Sequence, residues 1–230
     1  SAYTLMVFLI SVLLGLAMGS GTVFSLHYGA GNHVALRRSI FSSFVLIGIV
    51  TLILNVAVFI WLDPILRLLQ VPQDIYGMMR SYSWIIFCGI VFTFIYNFYA
   101  SLLRAVGDSV TPLWFLAVSV VLNIALDLFF ILQLDWGIQG AAAATVLAQG
   151  VAALGIIIYT YRRRPELRWH HEDMCFDRTC LKEIASFSTL TCVQQSVMNL
   201  GILMIQGLVN SFGTAVMAAF AAAVKIDSFA

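Results

Sequence analysis

Asp127 is an acidic residue in a long apolar stretch of the chain, with Asn123 four residues before it. This spacing puts both side chains on one face of a helix. A carboxylate at the centre of a membrane costs about 2.5–3.5 kcal/mol on insertion scales, so we expect Asp127 to face the protein interior or a water-filled cavity. We therefore predict that Asp127 binds a proton or a cation. The alternative is an acid near a helix end that reaches interfacial water.

Thr145 and Gln149 form a second polar pair, again four residues apart, in the next apolar stretch. The link between the two stretches, at 135–137, is so short that we expect the two helices to be antiparallel neighbours. The second pair can then face Asn123 and Asp127 and complete a polar cluster. Hydrogen bonds between membrane helices contribute only ~0.6 kcal/mol on average, and simple helix packing remains the alternative.

Further polar and aromatic side chains occur in other apolar stretches, among them Tyr96, Asn97, Gln194 and Gln195. Aromatic rings and amides suit a roomy cavity that accepts amphipathic cations, because the face of an aromatic ring attracts a cation. Ordinary packing is the alternative for each of them. Together with the two polar pairs, these four residues make up the predicted cation- and substrate-binding set.

No motif for enzymatic chemistry or for a bound cofactor occurs in the sequence. The nucleotide-binding pattern Gly-x-x-x-x-Gly-Lys-Ser/Thr is absent, and so are HExxH and a Ser-His-Asp arrangement. His170, His171, Cys175 and Cys180 match no standard zinc spacing. Because the net charge is only +1 and no basic arm is present, nucleic acid is not an expected partner. We predict neither an enzyme nor a metal or cofactor site.

The composition indicates that membrane-spanning helices carry these residues. Hydrophobic residues make up 61% of the 230 positions and charged residues 10%, against about 25% charged residues in a typical soluble domain. A helix needs roughly 20 apolar residues to cross a bilayer, and it satisfies its own backbone where no water is available. We predict an all-α polytopic transmembrane helix bundle with spans at 2–27, 39–62, 82–103, 111–134, 137–160 and 184–211, and another beginning near 213.

Local signals predict where one span ends and where helices approach one another. Asp63-Pro64 is expected to break the second span, because proline disrupts a helix interior. Gly15 and Gly19, four residues apart, form a small face that lets another helix come close.

Basic residues predict the orientation of the bundle. Nine of the twelve Lys and Arg residues lie in the loops at 28–38, 104–111 and 161–183, namely Arg37, Arg38, Arg104, Arg162, Arg163, Arg164, Arg168, Arg178 and Lys182. The positive-inside rule places these loops in the cytosol and the protein in the cell inner (plasma) membrane as a multi-pass protein. Residues 1–161 then hold a first group of helices, 162–183 a cytosolic connector, and 184–230 the start of a second group.

Several stretches resemble the multidrug and toxic compound extrusion (MATE) transporters. They are Leu103-Arg-Ala-Val-Gly-Asp-Ser-Val-Thr-Pro112, Leu122-Asn-Ile-Ala-Leu-Asp127, and Gly137-Ile-Gln-Gly-Ala-Ala-Ala-Ala-Thr145 with Gln149. The resemblance implies a parent of twelve helices in two six-helix lobes, of which the chain holds helices two to seven and the start of the eighth. It also implies that Asp127, Asn123 and Thr145 take part in ion coupling and drug release.

On this resemblance we expect a secondary active multidrug exporter that exchanges small organic cations for H⁺ or Na⁺ by alternating access. We expect it to work in the lipid bilayer as a monomer when full length. Two alternatives remain open: a lipid-linked oligosaccharide exporter or flippase of the same superfamily, and a seven-helix receptor or sensor that does not transport. The near absence of Lys and Arg inside the spans disfavours the first alternative, because its substrate is a large anion.

Overall fold

The computed structural model describes residues 2–68, 73–168 and 178–211, and within these ranges the chain forms helices and no strands. The helices are α1 (Ala2–Gly29), α2 (His33–Leu68), α3 (Gln73–Cys88), α4 (Ile90–Ala105), α5 (Val110–Leu132), α6 (Gly137–Arg163) and α7 (Arg178–Ser211), with a short 3₁₀ turn at Pro165–Leu167. The predicted all-α helix bundle is confirmed.

Five stretches of the described chain are long and apolar enough to cross a membrane: Ser11–Gly29, His33–Pro64, Tyr76–Ala105, Val110–Leu132 and Gly137–Arg163. They correspond to the first five predicted spans. The sixth predicted span lies in α7, a continuous helix of 34 residues whose Ser, Thr, Gln and Asn residues lower its hydropathy. The span predicted from about 213 lies outside the described residues, as does most of the connector.

The predicted break at Asp63-Pro64 is wrong, because α2 continues through Pro64 to Leu68. Proline removes only one backbone hydrogen bond, and here it stands near the end of the helix. Contacts from α3 hold this end, since the Asp63 carboxylate accepts hydrogen bonds from the Tyr76 hydroxyl at 3.0 Å and from Arg80 Nε at 2.9 Å. Tertiary contacts at Asp63 therefore hold α2 in place directly before Pro64.

The predicted span at 82–103 begins too late, and the structure divides it in two. The helical segment begins at Gln73, and a turn at Gly89 separates α3 from α4. A Cβ atom at Gly89 would lie 2.5 Å from Cγ2 of Val146 on α6. Glycine at this turn therefore lets α6 pack directly against the junction of α3 and α4.

Gly15 and Gly19 form the predicted close-approach face of α1, and the helix packed against it is α7. A Cβ atom at Gly19 would lie 2.4 Å from Cα of Ser188, and one at Gly15 would lie 2.9 Å from Cα of Cys192. The Ser188 hydroxyl also donates a hydrogen bond to the Leu16 carbonyl at 3.3 Å. The two helices therefore meet almost backbone to backbone.

An aromatic core joins α4 to α1 and α2. The ring of Phe98 is fully buried and lies with its centroid 5.8 Å from that of Phe24 and 5.3 Å from that of Phe44, both in edge-to-face geometry. Such pairs contribute about 0.5–1.5 kcal/mol beyond the area they bury. Ser101, one turn further along α4, donates a hydrogen bond to the Ala17 carbonyl at 2.8 Å. These contacts fix the position of α4, which carries part of the site described below.

The α5 and α6 helices are antiparallel neighbours, as the short link predicts. Asp135 has a φ of 54° and Gly137 a φ of 53°, and this left-handed backbone reverses the chain within the link. Further along the pair, a Cβ atom at Gly155 would lie 2.6 Å from the Phe115 ring. The two helices thus stay close from the link to the opposite end of the bundle.

We predict that Gly19→Ala lowers the stability of the whole protein, because the added methyl group meets the α7 backbone. Overpacking of this kind costs about 1–3 kcal/mol. Thermal unfolding of the purified protein in detergent measures the effect. Gly29→Ala is the matched control, since a Cβ atom at Gly29 meets nothing within 4 Å. Equal melting temperatures for the two variants would contradict the α1–α7 contact.

Candidate functional site

A cavity of about 310 Å³ lies between α4, α5 and α6. Three helix faces line it, each with residues three or four positions apart. The lining residues are Thr93, Tyr96 and Asn97 from α4, Leu116, Ser119, Val120 and Asn123 from α5, and Thr145, Ala148, Gln149 and Ala152 from α6. The cavity therefore combines small apolar surfaces with several amides and hydroxyls.

A hydrogen bond joins the polar faces of α5 and α6 at the cavity wall. Asn123 donates through Nδ2 to Thr145 Oγ1 at 3.3 Å, and the Thr145 hydroxyl donates to the Ala141 carbonyl at 3.0 Å. The predicted approach of the Asn123 face to the Thr145 face is confirmed. The Asn123 side chain is oriented by this bond, which leaves its amide oxygen available to a ligand.

The α4 helix supplies the opposite wall and contacts α6 through Thr93. The Thr93 hydroxyl donates to Gln149 Oε1 at 2.6 Å, and Asn97 Nδ2 donates to the Thr93 carbonyl at 2.8 Å. The Tyr96 hydroxyl donates to the Pro112 carbonyl at 2.8 Å. Each amide therefore uses one polar group for positioning, and the Asn97 oxygen and the Gln149 nitrogen remain for recognition.

Asp127 lies one helical turn beyond Asn123 on α5 and is not among the residues that line the cavity. Its side chain is partly buried, and its Oδ1 atom is fully buried with no hydrogen-bond partner among the described residues. A buried carboxylate oxygen without a partner is costly. The structure thus places the acid next to the polar cluster, where a proton or a cation would satisfy it.

Gln194 and Gln195 do not join the cavity. Both belong to α7, which packs against α1. The Gln194 side chain is exposed, and Gln195 Nε2 contacts Met18 Sδ on α1 at 3.6 Å. Of the eight predicted residues, five line the cavity, Asp127 adjoins it, and these two lie elsewhere in the described chain.

Two hydroxyl residues of the cavity wall, Thr93 and Ser119, are missing from the predicted set. Thr93 precedes Asn97 by four residues, and Ser119 precedes Asn123 by four. The same helical spacing that marks Asn123 with Asp127 therefore points to both. Hydroxyl groups are a weak signal in membrane helices, because they commonly bond to the carbonyl four residues earlier.

The cavity wall is electrically neutral. None of its lining residues is Lys, Arg, Asp or Glu. Asp127 is the one charged residue of α5, and the charges of α6 lie at its far end, at Arg162 and Arg163. The cavity wall therefore offers amide dipoles and the Tyr96 ring to a ligand, and the nearest charge on α5 is that of Asp127.

We predict that a cysteine at position 149 reacts with a membrane-impermeant thiol reagent, because water that enters the cavity allows the thiol to ionise and the thiolate is the reactive form. The measurement is the labelling rate of Gln149→Cys in a background without the four native cysteines. Leu147→Cys is the matched control. Leu147 is exposed on the outer, apolar face of α6, where we expect surrounding lipid or protein to exclude water and the reagent. Equal labelling rates would exclude a water-accessible cavity here.

Comparisons with known proteins agree with this architecture. The model of the MatE family matches residues 1–129. The chain is 32% identical over 232 residues to a probable multidrug resistance protein, YpnP, of Bacillus subtilis, covering 98% of this chain and 50% of that protein. It is 31% identical over 171 residues to the multidrug export protein MepA of Staphylococcus saprophyticus, covering 71% of this chain and 37% of that protein.

A solved structure shares the fold. The crystal structure of the Vibrio cholerae MATE transporter VcmN in the bent form superposes with a TM-score of 0.86 at 25% sequence identity, covering 99% of this chain and 52% of that one. The chain spans about half the length of the curated relatives it matches over its full extent.

Proposed function

The chain belongs to the MatE family, and from that premise we propose that it forms most of the first lobe and the start of the second lobe of a multidrug exporter that exchanges organic cations for H⁺ or Na⁺. The observation that carries the proposal is the neutral polar cavity between α4, α5 and α6, together with the buried, unpartnered Oδ1 atom of Asp127 one turn away. The amides and hydroxyls of the cavity suit a ligand, and the carboxylate of Asp127 suits a small cation.

The cavity favours an organic cation as the substrate. The Tyr96 ring offers a face that attracts positive charge, and the carbonyl oxygens of Asn97 and Asn123 can accept hydrogen bonds from a protonated amine. An anionic, lipid-linked substrate would call for Arg or Lys in the wall, and none lines this cavity.

Asp127 is proposed to couple transport to the entry of a cation. When it is ionised, its negative charge attracts the organic cation in the neighbouring cavity. A proton or a sodium ion bound to the carboxylate cancels this charge and weakens the hold on the substrate. Asn123 lies on the same face of α5 and is bonded to Thr145 of α6, so a movement of α5 reaches the cavity wall directly.

Export then follows from alternating access. The lobe that contains the cavity rocks against its partner lobe, so that the site opens to one side of the membrane at a time. In the proposed cycle the organic cation leaves the outward-open site when H⁺ or Na⁺ binds at Asp127. The proposed cycle needs no nucleotide hydrolysis, because the H⁺ or Na⁺ gradient supplies the free energy.

We predict that Asp127→Asn strongly lowers gradient-driven efflux of a fluorescent organic cation from vesicles that contain the whole protein. Coupling free energies of about 1–3 kcal/mol correspond to 5–150-fold changes, so we expect a loss of roughly tenfold or more. Imposing a pH gradient and a sodium gradient separately identifies the coupling ion.

Asp135→Asn is the control for this experiment. It removes the same charge from an exposed residue in the α5–α6 link, and asparagine tolerates the left-handed backbone of that position. Efflux that persists unchanged in Asp127→Asn would refute the coupling role of Asp127. Absence of efflux under both gradients in the unsubstituted protein would refute cation antiport altogether.

A further inference from the structure

A second cavity, of about 280 Å³, lies where the turn between α1 and α2 meets the start of α7. It is lined by His27, Asn32, Val34, Ala35, Arg38, Thr179, Cys180 and Glu183. These residues belong to the end of the bundle that the basic residues assign to the cytosol. None of them lines the cavity between α4, α5 and α6, so this cavity has no part in the transport cycle proposed above.

Arg38 is the feature of this cavity that calls for a ligand. Its Nε atom is buried without a hydrogen-bond partner, and Arg38 takes part in none of the ion pairs among the described residues. The Arg38 side chain as a whole is only partly buried, but a buried N–H donor without an acceptor is costly. Guanidinium groups bind carboxylate or phosphate oxygens in a bidentate manner. An anion bound in the cavity would satisfy Arg38.

The one acidic residue of the cavity lining, Glu183, contacts His27 of α1. A Glu183 carboxylate oxygen lies 3.6 Å from His27 Nε2, and this contact links α7 to α1. Asn32 uses its side-chain oxygen to accept the Ala35 backbone N–H at 3.0 Å, so its amide N–H₂ group is left as a donor. The polar groups that remain around Arg38 therefore include a further donor, which favours an anionic ligand.

The surroundings of the cavity are basic and lie at the membrane border. Arg37 adjoins Arg38, and Arg178 and Lys182 are exposed on the first two turns of α7. The apolar stretch of α2 that is long enough to cross a membrane begins at His33, so Arg38 lies within the first two turns of this stretch. Basic pockets between helices at the cytosolic border suit the head groups of anionic lipids.

We propose that this cavity binds a phosphate group and that Arg38 is the main residue that contacts it. An anionic phospholipid of the inner leaflet or free phosphate would bring the phosphate group. A phosphate held there contacts residues of both α2 and α7, and it therefore stabilises the packing of α7 on the rest of the bundle. The proposal is independent of the coupling role of Asp127.

The test uses the whole protein, purified in an uncharged detergent, and measures its melting temperature and its lipid binding by native mass spectrometry. Phosphatidylglycerol, phosphatidylcholine and inorganic phosphate are added separately. We expect phosphatidylglycerol to bind and to raise the melting temperature, and phosphatidylcholine to do neither. If inorganic phosphate alone has the same Arg38-dependent effect, the site is confirmed with free phosphate as its ligand.

Arg38→Gln should weaken the binding about tenfold or more, because it removes a charged hydrogen-bond donor. Arg38→Lys keeps the charge and loses the planar guanidinium group, so it should retain part of the binding. It also provides the test if Arg38→Gln does not fold. Arg162→Gln is the matched control, since it removes the same charge from an exposed residue at the end of α6.

Two results would overturn the proposal. The first is that neither phosphatidylglycerol nor phosphate has an effect that depends on Arg38. The second is that Arg162→Gln weakens the binding as much as Arg38→Gln, because the effect would then arise from overall charge and not from this cavity.

Discussion

The interior of a bilayer offers no water to polar groups, and most of the structure follows from this constraint. The hydroxyls of Ser20, Thr51 and Thr160 each donate to the carbonyl four residues earlier in their own helix. Asn55 instead donates across to the Phe87 carbonyl at 2.6 Å, which ties α2 to α3. These polar side chains therefore form hydrogen bonds with backbone carbonyls of the bundle, in their own helix or in a neighbouring one.

Two of the exceptions to this rule lie at the two proposed sites. Among the described residues, the buried side-chain atoms without a hydrogen-bond partner are Arg38 Nε, Ser42 Oγ, Ser43 Oγ and Asp127 Oδ1. An unpaired hydroxyl is a modest cost, whereas an unpaired ionisable group is a large one. Both ionisable groups adjoin or line a cavity: Asp127 lies next to the polar cavity between α4, α5 and α6, and Arg38 lines the cavity between the α1–α2 turn and α7. In both places, an ionisable side chain with an unpartnered buried atom thus lies in or beside a cavity that has room for a ligand.

Much of the fold and part of the site were predictable from the sequence, because they depend on local length and spacing. Apolar stretches of about 20 residues predict the spans, and the short link at 135–137 predicts that α5 and α6 are antiparallel. Residues four positions apart on each of these helices then share a face, so that Asn123 and Thr145 meet across it. Thr93 and Ser119 follow the same spacing, but hydroxyls in apolar helices are too common to single out from one sequence.

Contacts between distant parts of the chain decided the rest. Composition and spacing establish a multi-pass helix bundle with an intramembrane acid and a small face at Gly15 and Gly19. That α7 covers this face, and thereby takes Gln194 away from the cavity, depends on residues more than 170 positions apart, such as Ser188 and Leu16 with a separation of 172. A hydropathy pattern reports only which residues avoid water, whereas the choice of neighbour depends on the shapes of two helix surfaces that fold together.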